Sequence, residues 1–234
     1  MKWILTFTIL ISLSAVAGDY FSLPVDAVNV GPVTLDKANQ VSSRLFLQHF
    51  NEVLTKTSKP LVIQLQWESP YFGGGAIQDE HFVYVRIFGG MVRTPEMTED
   101  IYALILCHEI GHMIGGEPYQ DIPGAEWTSV EGQADFFAAS ICLPRYFKTL
   151  EPSLGADLIQ QRIQLAGLGF LQLSQKYATS NQERVSLEKT ATEVATELNR
   201  HSYPSDQCRL DTFKAGASCL TEATCRVPVC WLPR

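Results

Sequence analysis

The chain is poor in positive charge. Its 234 residues hold 18 Lys and Arg against 25 Asp and Glu, for a net charge of −7, and no basic run or patch interrupts the acidic balance. That argues against nucleic acid as a partner, which needs a concentrated cationic face. A second long apolar run is also missing. Beyond residue 17 the best membrane-span candidate, Ile163 to Leu173, is broken by Gln164, Gln172 and two glycines, and a bilayer needs about 20 apolar residues in a row. No Cys-x-x-Cys pair occurs and no histidine lies among the last four cysteines, so a zinc ribbon there is disfavoured. Internal repeats and low-complexity segments are absent.

What is present begins with a processing signal. Lys2 precedes an apolar stretch from Trp3 to Leu13, and Ala15-Val16-Ala17 offers an Ala-x-Ala cleavage site. Residues 1–17 therefore read as a signal peptide, with an uncleaved N-terminal anchor as the alternative. The chain is expected to be exported: periplasmic if bacterial, otherwise secreted. The rest is long enough for one domain with a real core. Residues 18–207 are assigned to it, and residues 208–234 to a cysteine-rich tail packed on it. Cys208, Cys219, Cys225 and Cys230 crowd that tail. In an exported chain they read as one or two disulfides stapling a segment with little core of its own. Cys107 and Cys142 read as buried thiols or a separate pair.

The most informative residues are His108-Glu109-Ile110-Gly111-His112. Residues four apart on an α-helix project from one face, so a helix here would point both imidazoles at one metal ion. Glu109 would then stand beside the metal as general base toward an activated water. Gly115, Gly116 and Pro118 end this helix, and Thr98, Glu99 and Asp100 start it, with Ile101 to Ile114 as its body. A second helix is expected from Trp127 to Ile141, stopping before Pro144. On it Glu131 and Asp135 share a face. Glu131 can complete a His₂Glu zinc set, and Asp135 can accept the outer N–H of a ligating imidazole. The competing metzincin pattern fails at two places. Its third ligand falls on Pro118, and none of Met1, Met91, Met97 and Met113 lies downstream to make the methionine turn.

The remaining pattern gives a mixed α+β chain. Thr34 caps a helix to about Leu54 whose apolar face carries Val41, Leu45, Phe46, Phe50, Val53 and Leu54. Leu61 to Trp67 and Phe82 to Phe88 alternate as strands. In the second, Val83, Val85 and Ile87 face one way and Phe82, Tyr84, Arg86 and Phe88 the other. Tyr71 to Ala76, with three consecutive glycines, reads as a loop. Leu154 to Tyr177 and Gln182 to Asn199 read as two more helices, the latter with Val185, Leu187, Ala191, Val194 and Leu198 as its apolar stripe.

The order strand, capped His-Glu-x-x-His helix, then Glu131-Gly132-Gln133-Ala134-Asp135 resembles one gluzincin family. It is that of the CAAX prenyl endopeptidases and heat-shock membrane proteases, together with their soluble exported relatives. The stretch from Phe82-Val83-Tyr84-Val85-Arg86 to His112 is similar to that family's edge strand and active-site helix. Phe136 to Pro144 also resembles the soluble phage-repressor-cleaving gluzincins. A further segment, Tyr203-Pro204-Ser205-Asp206-Gln207-Cys208-Arg209, is similar to the first family's His-Pro-Ser-x-x-x-Arg element, with Tyr203 where its histidine stands and His201 two residues earlier. The resemblance covers roughly Leu61 to Leu210. It implies a zincin-like domain with one Zn²⁺ held by His108, His112 and Glu131. Glu109 would be the general base, with Tyr203 or His201, and Arg209, steadying an oxyanion. The substrate would be a polypeptide, bound extended along strand 82–88. Two other readings stand beside a peptidase: a non-catalytic metal-binding or structural protein keeping a relic site, and a zinc hydrolase of non-peptide amides.

Overall fold

The computed structural model describes residues 31–177, 182–221 and 225–233. The signal segment expected at residues 1–17 lies outside them. Among these residues seven α-helices and three strands follow in the order α1 (Leu35–Thr57), β1 (Leu61–Gln66), β2 (Gly74–Gln78), β3 (Val83–Phe88), α2 (Gly89–Val92), α3 (Glu99–Ile114), α4 (Glu131–Phe137), α5 (Leu143–Leu150), α6 (Ala156–Tyr177) and α7 (Asp206–Ser218). The class is α+β. Among the described residues no helix is long and apolar enough to cross a membrane.

α3 is the axis of the molecule. Every residue from Ile101 to Met113 is buried, which fits a sequence apolar all around rather than on one stripe. Its start is fixed by Thr98, whose hydroxyl accepts the Ile101 N–H at 3.2 Å, one of the orphan donors of a first helical turn. α1, α4 and α6 pack around it. The Arg162 guanidinium of α6 pairs with Asp100 in the first turn of α3. α1 begins at its Thr34 cap and ends at Ser58, in the left-handed region at φ 59°. Its buried face carries Val41, Leu45 and Val53, while Phe46 and Phe50 pack partly exposed and Leu54 is exposed. The same face also buries His49 completely. That histidine is held by Glu52 and Gln48.

The sheet order is β1-β3-β2, with β1 parallel and β2 antiparallel to β3. The alternation of β3 matches the sequence: Val83, Val85 and Ile87 are buried and their neighbours are not. Its position does not match. β3 is the central strand, hydrogen-bonded on both sides, so strand 82–88 has no free edge for an extended peptide. Among the described residues the open edges belong to β1 and β2. The glycine-rich stretch expected to be a loop supplies β2, because Gly74, paired with Ile87, lies where a Cβ would come within 2.7 Å of the Arg86 carbonyl.

Two helix expectations also change. The second site helix starts at Glu131 rather than Trp127, and it does not stop before Pro144. Over Ala138–Cys142 the ladder widens into a π-turn, and α5 carries on with Pro144 in its first turn, where a proline costs no helical hydrogen bond. Gln182 to Asn199 forms no helix. Side chains of α7 take over its backbone groups. Gln207 bonds the Ser186 N–H and the Ser186 and Lys189 carbonyls, and Asp211 accepts the Ala191 N–H. With these partners in place this part of the chain needs no helical ladder. Val185 is buried, but Val194 is 66% exposed. α7, capped by Ser205, crosses residue 208 and packs on α4 and α6.

All six cysteines are paired: Cys107–Cys142, Cys208–Cys230 and Cys219–Cys225. The first ties α3 to the π-turn. The second ties α7 to the C-terminal segment.

Candidate metal centre

His108 and His112 stand one turn apart on α3, with ring centroids 4.7 Å apart. Each Nδ1 has an oxygen beside it. His112 Nδ1 bonds the Ser129 carbonyl at 2.8 Å, and His108 Nδ1 makes a 2.7 Å charge contact with Asp135 Oδ1, off the direction of a hydrogen bond. A carbonyl or carboxylate can only accept, so in the neutral rings both Nδ1 atoms carry the proton and both Nε2 atoms present lone pairs. Those two Nε2 atoms face each other at 3.2 Å. Glu131 Oε2 joins them, 3.2 Å from His108 Nε2 and 3.6 Å from His112 Nε2, buried and without a hydrogen bond of its own.

Three lone-pair atoms crowded together repel unless a cation sits among them. Tetrahedral zinc with bonds of about 2.0–2.1 Å spaces adjacent donors roughly 3.3 Å apart, and the three observed separations bracket that value. Glu109 is buried beside them, its carboxylate grouped with both imidazoles within 4.8 Å. Because Glu131 approaches the two imidazoles closer, it is the better candidate for third donor. The donor set fits a metal ion.

Behind the donors lies a second layer. Arg209 of α7 grips Asp135 with both arms, Nε to Oδ2 at 2.8 Å and Nη2 to Oδ1 at 2.9 Å. Asp135 is fully buried and Arg209 nearly so. The guanidinium was expected to face a reacting oxygen. Instead it spends its fork on Asp135, which in turn orients His108. Counting the carboxylates of Glu109, Glu131 and Asp135 against Arg209 leaves two negative charges with neutral imidazoles, the balance a divalent cation cancels.

The electrostatics have the same sense. Burial pulls the His108 imidazole down, but Asp135 and Glu131 outweigh it and push it up to about 10. His112 moves up, burial being overcome by the Glu131 charge. Burial would raise Glu131, yet the two imidazoles hold it well below the usual carboxylate range. Without a metal, protons fill the role. Glu109 moves the other way. Burial dominates and raises it. Tyr203 is exposed, with its ring over the Arg209 guanidinium at 4.9 Å. The Glu131 charge and the packing around the hydroxyl end push that hydroxyl well above the ordinary range; Glu109 and Asp135 add to this and the Arg209 charge opposes it. His201 is turned to Asp121, Nε2 to Oδ1 at 2.9 Å.

Two contributors carried no side-chain signal of their own. The Ser129 carbonyl holds His112 from a loop whose backbone is tied to α3 by Ser129 N–H to His112 O. Gly111 lets α4 approach: a Cβ there would come within 2.9 Å of the Ala134 carbonyl. Glycine inside His-Glu-x-Gly-His is the mark that could have announced this crossing. Comparison with family models, with curated proteins and with solved structures gives no match.

Proposed function

We propose that this chain is an exported zinc-dependent endopeptidase of the gluzincin kind. The observation that carries the reading is the cluster of His108 Nε2, His112 Nε2 and Glu131 Oε2 at tetrahedral spacing, with a buried, proton-hungry Glu109 beside it. His108, His112 and Glu131 would hold the ion. Zinc there would supply Lewis acidity, polarising a scissile carbonyl and acidifying water. Glu109 would take a proton from the attacking water and hand it to the leaving amine. Asp135, braced by Arg209, keeps the His108 ring in its Nδ1–H tautomer. Tyr203, held as a neutral phenol, would donate to the developing oxyanion. His201 is engaged elsewhere. The substrate would be an extended polypeptide taken at an open sheet edge, β1 or β2, since β3 is paired on both sides. The three disulfides support export, because such pairs persist in oxidising compartments.

The test is cleavage of an unstructured protein by the wild type and by Glu109→Gln, each assayed for bound zinc. Glutamine keeps the size but cannot act as base. Zinc should stay, and turnover should fall by about 10²–10⁴-fold. Zinc binding with no proteolysis in the wild type would point instead to a binding protein or to a hydrolase of non-peptide amides.

A further inference from the structure

A small hollow of about 80 Å³ opens beside Glu131, between α4, the irregular segment that includes Ala195, Ser202 and Pro204, and the C-terminal segment with Trp231. We propose that it is a substrate side-chain subsite that selects a short, uncharged residue next to the scissile bond. The proposal rests on the peptidase reading. Its location follows from Glu131, which presents Oε2 to the two imidazoles and also lines the hollow. A residue flanking a bond held at the metal centre is about one side chain away from it.

Size sets the selection. A water's share of liquid volume is about 30 Å³, and a cavity that binds benzene is about 150 Å³. At about 80 Å³, roughly half the benzene-binding cavity, the hollow suits the short side chains of Ala, Ser, Thr or Val better than Leu or Phe. Charge adds a second filter. Among the described residues Glu131 and Glu197 line the hollow and no cation does, so Asp and Glu are repelled, while Lys and Arg are too long.

The walls are built to keep this size. Trp231 lies on Gly132 so closely that a Cβ at 132 would come within 2.2 Å of the indole. The Cys208–Cys230 bridge anchors the residue preceding that tryptophan to α7. The opposite wall is pinned by the Ala195 N–H to the Val229 carbonyl at 2.8 Å, and Arg200 bonds the Tyr119 carbonyl. Tyr203 stands between Ser202 and Pro204, so one short stretch carries both the wall and the proposed oxyanion donor.

The experiment gives the zinc-loaded full chain a peptide library varied at the residues flanking one cleavable bond, with products read by mass spectrometry. One flanking position should accept Ala, Ser, Thr and Val, with kcat/KM for Leu, Phe and Asp lower by at least about tenfold, the scale on which one surplus methylene is rejected. Ala195→Leu fills the hollow. Val and Thr peptides should then lose at least about tenfold relative to Ala peptides, with zinc content and melting unchanged. Trp231→Ala opens the hollow and should admit Leu and Phe. If it does not fold, Ala195→Leu alone decides. Equal cleavage of Val, Leu and Phe peptides at every flanking position, or a preference unmoved in folded, zinc-loaded Ala195→Leu, overturns the subsite and leaves the peptidase reading intact. A zinc-loaded wild type that cleaves no peptide overturns that reading, and the subsite falls with it.

Discussion

Arg209→Met tests the layer behind the donors. The substitution keeps an unbranched apolar stem and removes two hydrogen bonds to Asp135, of 2.8 and 2.9 Å. What remains is a fully buried carboxylate whose other charged partner among the described residues is His108. In the native site burial pushes Asp135 up, and the Arg209 and His108 charges hold it below the usual range. Breaking a buried pair from one side costs about 3–5 kcal/mol. At about 2–4 °C per kcal/mol for a domain of this size, the metal-free protein should melt on the order of 10 °C lower. Zinc affinity should fall by about 10–100-fold, because Asp135 no longer fixes the His108 ring. The assays are urea unfolding without metal and zinc competition against a chelator. Adding Asp135→Leu separates the two effects. With both charges gone stability should largely return, but zinc affinity should not, since His108 Nδ1 has lost its acceptor. A single variant losing under about 1 kcal/mol, or a double variant regaining full zinc affinity, would refute the relay from Arg209 through Asp135 to His108.

Other outcomes follow from the same geometry. In the metal-free protein His108 is pushed up to about 10, above its unfolded value near 6.5. Its contribution to stability is therefore complete below about pH 6.5 and lost as pH rises toward 10. Zinc must displace those protons, so its affinity should climb over the same window by up to about tenfold per pH unit for each proton released. An affinity flat from pH 6.5 to 9 would show that the imidazoles are not the donors. Tyr203→Phe should lower kcat by about 10²–10³-fold with KM little changed, while His201→Ala, whose ring is turned to Asp121, should leave both near wild type. The reverse pattern would move the oxyanion role to His201. Gly132→Ala drives a methyl into the Trp231 ring and should cost about 1–3 kcal/mol in thermal unfolding. An unaltered melting curve would mean the indole does not rest there.

The candidate centre was legible wherever one helix did the work. His108, Glu109 and His112 are neighbours by periodicity alone, and the cap at Thr98 and the alternation of β3 are local too. Glu131 and Asp135 could be found because they repeat the same four-residue spacing. What stayed hidden depends on partners far along the chain. Whether a strand is central or at an edge is decided by its neighbours, so β3 could not be placed from its own alternation. Gln182 to Asn199 has a plausible helical stripe, but its backbone groups are answered by Gln207 and Asp211. Nothing inside the segment announces that. Pro144 looked like a stop because a π-turn, which frees the proline from a ladder bond it could not make, leaves no mark in a hydropathy pattern. The bond from Arg209 to Asp135 spans 74 residues and became visible only once α7 lay against α4.

The cross-links bear on the order in which the centre is put together. Its donors come from separate stretches of chain, around residues 108–112 and 131–135, with their brace at 209. Cys107 immediately precedes His108 and joins a turn continuous with the helix of Glu131. Cys208 immediately precedes Arg209. Bridges with sequence separations of 35 and 22 residues each remove roughly 3–4 kcal/mol of loop freedom from the unfolded chain. In the oxidised protein these stretches are tied together covalently, so an ion held as proposed would not have to gather them. In a reduced chain it would have to do so, and would be held more weakly for it. On the proposed reading, oxidation before metallation would be the productive sequence.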